Sequence, residues 1–321
     1  MTGSILGSLG VGLAVGFTAE DWSGDARYFE YSRAANPVGS GHTSKIPMRQ
    51  FPASLHAGQP TGIIELDQAE ALGIDRGPAT SPALCASFVR IEQGEQLDTA
   101  PVATSELCYV MTGRGRSQVE KYGTLDWGEG DVFVLPGGAP ASHHATADTT
   151  LYRITDEPLL RYLGVRPSAT RFAPTHFPAH RIRAELNAIV ASPRATDRNR
   201  LSVLLANADQ PQTLTATHVL WAMFGLLPVD AVQKPHRHQS VALDLIVDCR
   251  PGCYTLAGRS LDEHGRIVKP ERVDWEAGGA FVTPPGLWHS HHNESGADAH
   301  LLPVQDAGLH TYLRTLDIRF S

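Results

Sequence analysis

Three histidines in the C-terminal half constrain this chain more than any other feature. His236 and His238 are separated by one residue, and His289 follows later in the chain. Side chains in a β-strand alternate between faces, so His236 and His238 project to the same side. If that side is the interior of a closed barrel and His289 comes from a facing strand, three neutral imidazoles meet at one point. Such a set with open positions suits Fe(II), Mn(II), Ni(II) or Zn(II).

The residues around His289 follow a longer pattern, whose fixed positions are Gly278, Pro284, Gly286, His289 and Asn293. This pattern resembles the second cupin motif in full. His236-x-His238 resembles the first cupin motif in part, because Ala242 and Leu243 stand where a glutamate ligand is usual. The three-histidine version resembles the metal-bearing cupin of gentisate-type ring-cleaving dioxygenases, and the resemblance covers roughly residues 200–321.

The chain also looks duplicated. Short strand-like runs separated by Gly and Pro occur in residues 81–160 and recur in the same order in the second half. The sequence therefore predicts an all-β fold of two cupin barrels (double-stranded β-helix, or jelly-roll) joined by a short helical connector. The expected segments are an N-terminal arm (1–45), an N-terminal cupin with a degenerate metal site (46–165), the connector (166–200) and the C-terminal cupin with the metal site (201–321).

The connector is expected to contain one amphipathic helix. Between Pro178 and Ser192, apolar residues recur at helical spacing, with Ile182 and Leu186 at its centre. The N-terminal run of residues 5–17 is apolar, but it lacks a preceding Lys or Arg and is too short to cross a bilayer. We therefore expect an arm that packs on the body or on a second subunit, a homodimer or homotetramer, and a cytoplasmic location.

The first barrel lacks the paired histidines. Glu106 stands where the cupin glutamate belongs, and His143 and His144 follow slightly late after Pro136. One glutamate and one histidine would hold a metal only weakly, so this barrel is interpreted as a structural partner. In gentisate dioxygenases the first cupin carries the iron, so the resemblance concerns a module and not the whole protein.

The composition of the chain limits the kinds of partner that it is expected to bind. Hydrophobic residues make up 42% of the chain and charged residues 19%, as in ordinary globular proteins. The formal net charge is −7 and no Lys/Arg run is present, which argues against nucleic-acid binding. Four cysteines are too few for a disulfide scaffold at this length, and all four are expected to be reduced. We expect no membrane partner.

Strand parity predicts which residues share the pocket. His291 has the parity of His289, and the resemblance places a histidine near the substrate there. His291 is therefore a candidate proton shuttle, or alternatively a residue that orients its neighbours. Trp288 would shape the mouth of the pocket or lie in the core, and Asn293 would satisfy a turn or touch substrate. The expected pocket residues are Gln239, Ala242, Trp288 and Asn293.

Asp244 departs from the resemblance, which implies an arginine there that holds an aromatic carboxylate. An aspartate facing a carboxylate in a poorly hydrated pocket is repulsive, so gentisate and salicylate are expected to be poor substrates. Arg314 could swing in as a replacement anchor, or it could pair with Asp244. An unpaired Asp244 would favour a substrate with an amine or several hydroxyls; it could also be a rim residue facing water.

The leading functional hypothesis is an Fe(II)-dependent dioxygenase that cleaves a hydroxylated, optionally amino-substituted, aromatic or related chelating substrate with O2. Its metal would be held by His236, His238 and His289, with zinc, nickel or manganese as other metals. One alternative is a metal-dependent isomerase, lyase or hydrolase. Another is a non-catalytic cupin that binds a small molecule, because fold alone does not decide function.

Overall fold

The computed structural model describes residues 23–195 and 198–321. The chain divides into two compact units, Met1–Thr43 and Ser44–Ser321. The apolar run of residues 5–17 lies outside the described residues, so its docking as an arm stays a prediction, as does the cytoplasmic location. In the described part of the chain, no helix has the length and apolar character needed to cross a bilayer. All four cysteines are free thiols.

The described part of the first unit contains two short helices, α1 (Tyr31–Ala34) and α2 (Pro37–Ser40). Three aromatic side chains, Tyr28, Phe29 and Tyr31, are exposed to 91%, 78% and 82%. Large apolar side chains clustered at a surface are typical of interaction sites.

The second unit begins with a barrel whose sheet order is set by two long strands. The strands in this part are β1 (Gln50–Phe51), β2 (Gly62–Glu65), β3 (Cys85–Ile91), β4 (Gln96–Thr99), β5 (Ser105–Val119), β6 (Gly123–Gly128), β7 (Val132–Pro136), β8 (Ala141–Thr155) and β9 (Thr175–Phe177). The helical segments are a 3-10 turn (Ala53–Leu55), α3 (Ala69–Leu72) and α4 (Glu157–Leu163). The sheet runs β2-β3-β8-β5-β7-β9, with β4 on β8 and β6 on β5. Register shifts near Val110, Thr112 and Arg114 in β5 are bulges that bend the long strands, so the sheet curls.

The connector contains the helix that the sequence predicts, α5 (Ala179–Val190). Pro178 precedes it as N-cap, and its buried residues are Ile182 and Leu186, the centre of the apolar stripe.

The second barrel repeats the design with two sheets. Its strands are β10 (Leu201–Leu205), β11 (Trp221–Leu227), β12 (Val232–Arg237), β13 (Ala242–Asp248), β14 (Cys253–Gly258), β15 (Glu271–Asp274), β16 (Ala280–Thr283), β17 (Trp288–Asn293), β18 (Ala299–Gln305) and β19 (Arg319–Phe320), and its helix is α6 (Ala307–Leu313). The sheets run β1-β16-β13-β18-β11-β10 and β15-β14-β17-β12-β19. Strand β1 precedes the first barrel in the sequence but pairs with β16 of the second barrel. The sequence did not reveal this pairing.

The main apolar core lies between the two barrels. It joins Phe88, Tyr109 and Tyr152 of the first barrel to Leu243 and Val282 of the second. Smaller apolar clusters fill each barrel interior. Every residue of β7 and β16 is buried, because one face of each strand lines its barrel and the other packs between barrels. Two cupin barrels joined by a helix form the fold, as the sequence predicts.

Candidate metal centre

His236, His238 and His289 come together inside the second barrel. His236 on β12 lies directly opposite His289 on β17, and His238 follows immediately after β12. The ring centroids of His236 and His289 are 4.0 Å apart, and those of His238 and His289 are 4.9 Å apart. One nitrogen of each ring lies within 4.8 Å of the others. The three side chains are buried, so their nitrogens meet out of contact with bulk solvent.

Hydrogen bonds fix which nitrogen of two rings is available. Nδ1 of His238 lies 2.9 Å from the carbonyl oxygen of Ser240, and Nδ1 of His289 lies 3.0 Å from that of Leu287. A carbonyl oxygen only accepts, so each Nδ1 carries the hydrogen and each Nε2 keeps its lone pair. Burial lowers the pKa of His238 to about 4 and that of His289 well below its usual value. Both rings are therefore neutral near pH 7.

His236 completes the set. Burial also holds the pKa of His236 well below its usual value, with the neighbouring His289 as the next cause. Its Nδ1 is buried and has no hydrogen-bond partner among the described residues. Buried polar atoms normally have a partner. Three neutral imidazoles, two with free Nε2 lone pairs and one with an orphaned nitrogen, fit a divalent first-row metal ion.

His291 lies beside this triad in a fixed orientation. Its Nε2 is 3.1 Å from a terminal nitrogen of Arg200, and its Nδ1 is 2.8 Å from Oγ1 of Thr255. The indole N–H of Trp275 also donates to Oγ1 of Thr255, at 2.8 Å. A guanidinium only donates, so Nε2 of His291 accepts and Nδ1 donates to Thr255. Burial, followed by the charge of Arg200, holds the pKa of His291 well below its usual value.

A cavity of about 230 Å³ opens beside the triad. Its apolar lining is Leu204, Trp221, Met223, Ile318 and Phe320, and its polar lining is Asn199, Arg200, Ser202, Gln233, His236, His238 and Gln305. Nε of Arg200, Oγ of Ser202 and Nε1 of Trp221 are buried without a hydrogen-bond partner in the described part of the chain. These orphaned groups include fixed N–H donors that a ligand with acceptor atoms would satisfy.

Arg200 is a candidate functional residue that the sequence did not reveal. It is the sole cation among the described residues that line the cavity. Burial lowers its pKa, and the charge of Asp244 raises it. The sequence offered one signal, a basic residue directly before the apolar strand β10, but charges at strand ends are common. Its hydrogen-bond partner His291 is 91 residues away in the sequence, so no local sequence pattern links the two residues.

Asp244 is buried inside the barrel but does not line the cavity. Its carboxylate accepts a hydrogen bond of 2.6 Å from Oγ1 of Thr283. Burial raises the pKa of Asp244 to about 6, while Thr283 and the charge of Arg200 lower it. Asp244 is therefore a buried carboxyl that is hydrogen-bonded to Thr283, and it is not a rim residue facing water.

Arg314 lies away from the cavity. It ends α6 in a left-handed conformation, with φ of 60°. Its guanidinium folds back to donate to the carbonyl of Tyr312, and it lies 5.6 Å from the centre of the Tyr312 ring. The structure brings Arg314 neither to the histidines nor to Asp244; the arginine that lines the cavity is Arg200.

The four residues that were expected to line the pocket lie elsewhere in the second barrel. Gln239 accepts a hydrogen bond from a backbone amide, and Ala242 is buried in β13. The ring of Trp288 lies under the guanidinium of Arg237, at 5.1 Å. The side-chain amide of Asn293 donates to three backbone carbonyls, as a turn-forming residue would. None of the four is among the described residues that line the cavity.

The corresponding place in the first barrel is already filled. Nδ1 of His143 lies 2.7 Å from Oγ of Ser117, and its Nε2 lies 3.1 Å from Oγ1 of Thr99. The carboxylate of Glu106 accepts a hydrogen bond of 2.5 Å from Nε of Arg153, and both side chains are buried. The two residues that could have gripped a metal are thus engaged with protein partners.

Comparison with known proteins agrees with a cupin assignment of the fold. No protein-family model matches the chain. Among curated proteins, the chain is similar to a 5-aminosalicylate 1,2-dioxygenase from Comamonas sp, with 34% identity over 103 residues. That match covers 32% of this chain and 27% of the relative, so most of the relative's length is outside it.

Solved structures share the fold over most of the chain. Salicylate 1,2-dioxygenase from Pseudoaminobacter salicylatoxidans, in adducts with gentisate, has a TM-score of 0.67 and 13% identity, covering 91% of this chain and 90% of that one. Oxalate decarboxylase from Bacillus subtilis has a TM-score of 0.52 and 15% identity, covering 81% and 77%. At these identities the likeness concerns the bicupin fold.

Proposed function

We propose that this protein is an Fe(II)-dependent dioxygenase that cleaves the ring of a hydroxylated aromatic carboxylate. One observation carries the proposal: three buried, neutral histidines converge beside a cavity whose charged lining group is Arg200. The similarity to a 5-aminosalicylate dioxygenase, and the fold shared with a salicylate dioxygenase, support the same substrate class.

The metal would be held by His236, His238 and His289. His238 and His289 would ligate through Nε2, because their Nδ1 atoms are tied to backbone carbonyls. Three protein ligands leave positions for a chelating substrate and for O2. Iron in such a site supplies the redox chemistry that lets O2 react with a bound phenol. Zinc, nickel and manganese also suit three imidazoles and are the alternatives to test.

Arg200 would bind the substrate carboxylate. Guanidinium–carboxylate pairs are charge-assisted and strong where water is excluded. Under this proposal salicylate and gentisate would bind, contrary to the expectation drawn from Asp244, because Asp244 does not line the cavity and its carboxylate accepts from Thr283. The apolar lining, including Trp221 and Phe320, would contact the ring faces.

His291 contacts Arg200 but is outside the cavity lining, so it would accept the proton of the substrate hydroxyl only after Arg200 has turned to the carboxylate. Its Nε2 holds a lone pair on the side where Arg200 lies, and Thr255 and Trp275 fix the ring by hydrogen bonds to Nδ1 and to each other. When Arg200 turns to a carboxylate, this lone pair becomes free. The ring would then act as a base at a defined atom.

Oxygen uptake tests the proposal directly. Protein loaded with Fe(II) under anaerobic conditions is mixed with salicylate, gentisate, 5-aminosalicylate, catechol and 2-aminophenol. The expected result is O2 consumption matched to loss of one of the carboxylated phenols. If the protein retains zinc and consumes no O2, an isomerase, lyase or hydrolase is favoured. If it binds iron and stays silent across the panel, a non-catalytic binding protein is favoured.

We further propose that the protein forms a homodimer or homotetramer in which the N-terminal unit contacts a second copy. The exposure of Tyr28, Phe29 and Tyr31 supports this, because water disfavours such a patch. Light scattering should give a mass above that of one chain, and serine substitutions at the three positions should lower it. A monomer at micromolar concentration would contradict this proposal.

A further inference from the structure

We propose that Gln305 binds the substrate carboxylate through its side-chain amide N–H groups. The inference rests on the proposed function and adds a residue that sets specificity. Gln305 is the last residue of β18, lines the cavity beside the histidines, and is only 2% exposed.

A chain of hydrogen bonds fixes the orientation of this amide. His238 donates from Nδ1 to the backbone carbonyl of Ser240, so that nitrogen carries the hydrogen. The hydroxyl of Ser240 lies 3.1 Å from the same Nδ1 and can therefore only accept from it. Its own hydrogen is free to donate to Oε1 of Gln305, at 2.8 Å. The amide oxygen of Gln305 is thereby directed to Ser240.

The amide nitrogen of Gln305 is then left as a free donor at the cavity. Among the described residues, no hydrogen bond is made by Nε2, although Gln305 is nearly fully buried. Unlike Nε1 of Trp221, this nitrogen is accessible from the cavity, where water can accept from it. A ligand with acceptor atoms would replace that water.

The neighbours of Gln305 indicate which acceptor fits. Trp221 lies directly opposite Gln305 in the pairing of β11 with β18, and its buried indole N–H also lacks a partner in the described structure. Arg200 adds a positive charge to the same lining. Several donors with a positive charge match the two oxygens of a carboxylate. A neutral hydroxyl fits less well, because it also needs an acceptor for its own hydrogen.

The first barrel lacks this group. Gln305 pairs with Ala242 across β13 and β18, and the equivalent pairing across β5 and β8 joins Glu106 to Thr155. The amide is thus present in the barrel that holds the three histidines and is replaced in the barrel that does not.

The test compares Gln305→Met with Ser240→Ala in protein loaded with Zn(II), which does not react with O2. Both variants lose the Ser240–Gln305 hydrogen bond, but only Gln305→Met loses the amide donor. Calorimetry measures zinc stoichiometry first and then the binding of salicylate and of catechol, which has no carboxylate. We expect zinc binding to persist in both. Salicylate affinity should fall about tenfold or more in Gln305→Met, and by less in Ser240→Ala, which keeps the amide donor but loses the hydrogen bond that orients it. Catechol affinity should change little.

Equal salicylate affinity in the parent protein and Gln305→Met would overturn the role of Gln305 and leave the proposed function standing. An equal loss for salicylate and catechol would overturn it too, because the amide would then not read the carboxylate. A zinc-loaded parent protein that binds no salicylate would overturn both proposals, and the parent's own binding curve separates this case from the others.

Discussion

The two barrels share one hydrogen-bonded motif but differ in what surrounds it. In the first barrel the indole of Trp127 donates to Ser117, whose hydroxyl contacts Nδ1 of His143. In the second, Trp275 donates to Thr255, whose hydroxyl contacts Nδ1 of His291. The difference lies at Nε2, which contacts Thr99 in the first barrel and Arg200 in the second.

The two barrels differ in the residues that lie two positions before His291 and His143 and in the strand partners of those residues. His289 precedes His291 and pairs with His236, whereas Ala141 precedes His143 and pairs with Thr99. Two of the three imidazoles are therefore replaced by side chains that cannot hold a metal strongly. The Trp–hydroxyl–His motif persists without them, so it serves the barrel scaffold, and the metal site is a separate requirement.

The largest effect is expected from breaking the buried ion pair of the first barrel. Arg153→Met leaves the carboxylate of Glu106 buried and unpaired, which should lower the free energy of unfolding by about 3–5 kcal/mol. Urea denaturation measures this. The double variant Glu106→Leu/Arg153→Met should recover most of the loss. Metal content should be unchanged in the folded double variant, and a drop would show that the barrels are not independent in metal binding.

The next effect concerns the charged group of the second cavity. Arg200→Gln removes a charge-assisted hydrogen bond to a carboxylate, worth about 1.5–3 kcal/mol, so salicylate affinity should fall about 10- to 100-fold. Arg166→Gln is the matched control, because Arg166 lines a separate cavity of about 250 Å³ next to Glu106 of the first barrel. Equal losses in the two variants would remove the distinction between the two cavities.

Breaking the Trp–hydroxyl–His motif should lower stability by a similar amount in the two barrels, but it should lower activity only in the second. Thr255→Val and Ser117→Ala each leave a buried indole N–H unpaired, at a cost of about 1–3 kcal/mol of stability. Thermal unfolding should show comparable losses. Only Thr255→Val should also lower kcat for oxygen uptake, since it frees the ring of His291. Equal activity in both variants would mean that the orientation of His291 is irrelevant to turnover.

The smallest effect depends on pH and compares the aspartates that follow β8 and β18. Burial raises the pKa of Asp306 to about 7, whereas a carboxyl in an unfolded chain titrates near about 4. The stabilising contribution of its protonated form is complete below pH ~4 and is lost as pH rises through about 7. Thermal unfolding should therefore show that Asp306→Asn gains stability relative to the parent protein between pH 5 and pH 8, by at most about 1.4 kcal/mol per pH unit.

The matched variant is Asp156→Asn. Burial also raises the pKa of Asp156, but hydrogen bonds from Thr104 and Ser105 lower it. Its pH dependence should be weaker than that of Asp306→Asn. A stronger one would mean that these hydrogen bonds do not stabilise the ionised form.

Much of the fold and the three histidines of the triad could be predicted from local sequence patterns. Strand alternation and the spacing around His289 identified the histidines that converge, and Gly278 and Gly286 of the motif adopt the positive φ that favours glycine. The apolar stripe identified α5. These features depend on residues close in sequence or on a fixed period.

The rest depends on long-range packing. Arg200 reaches His291 only because the end of the connector enters the second barrel, and Gln305 is oriented by a chain of hydrogen bonds through Ser240. Parity placed Asp244 inside the barrel but could not show that Thr283 would bind it. Strand β1 is two residues long, too short for a periodic signal.

Metal content in a matched pair of variants tests the central claim most directly. His236→Ala and His143→Ala each remove a buried histidine, one from each barrel. After anaerobic loading with Fe(II) and removal of free metal, elemental analysis should find a single ion per chain in the parent protein and in His143→Ala, and almost none in His236→Ala. Stoichiometric iron in folded His236→Ala, or its loss in folded His143→Ala, would contradict the assignment of the metal to the second barrel.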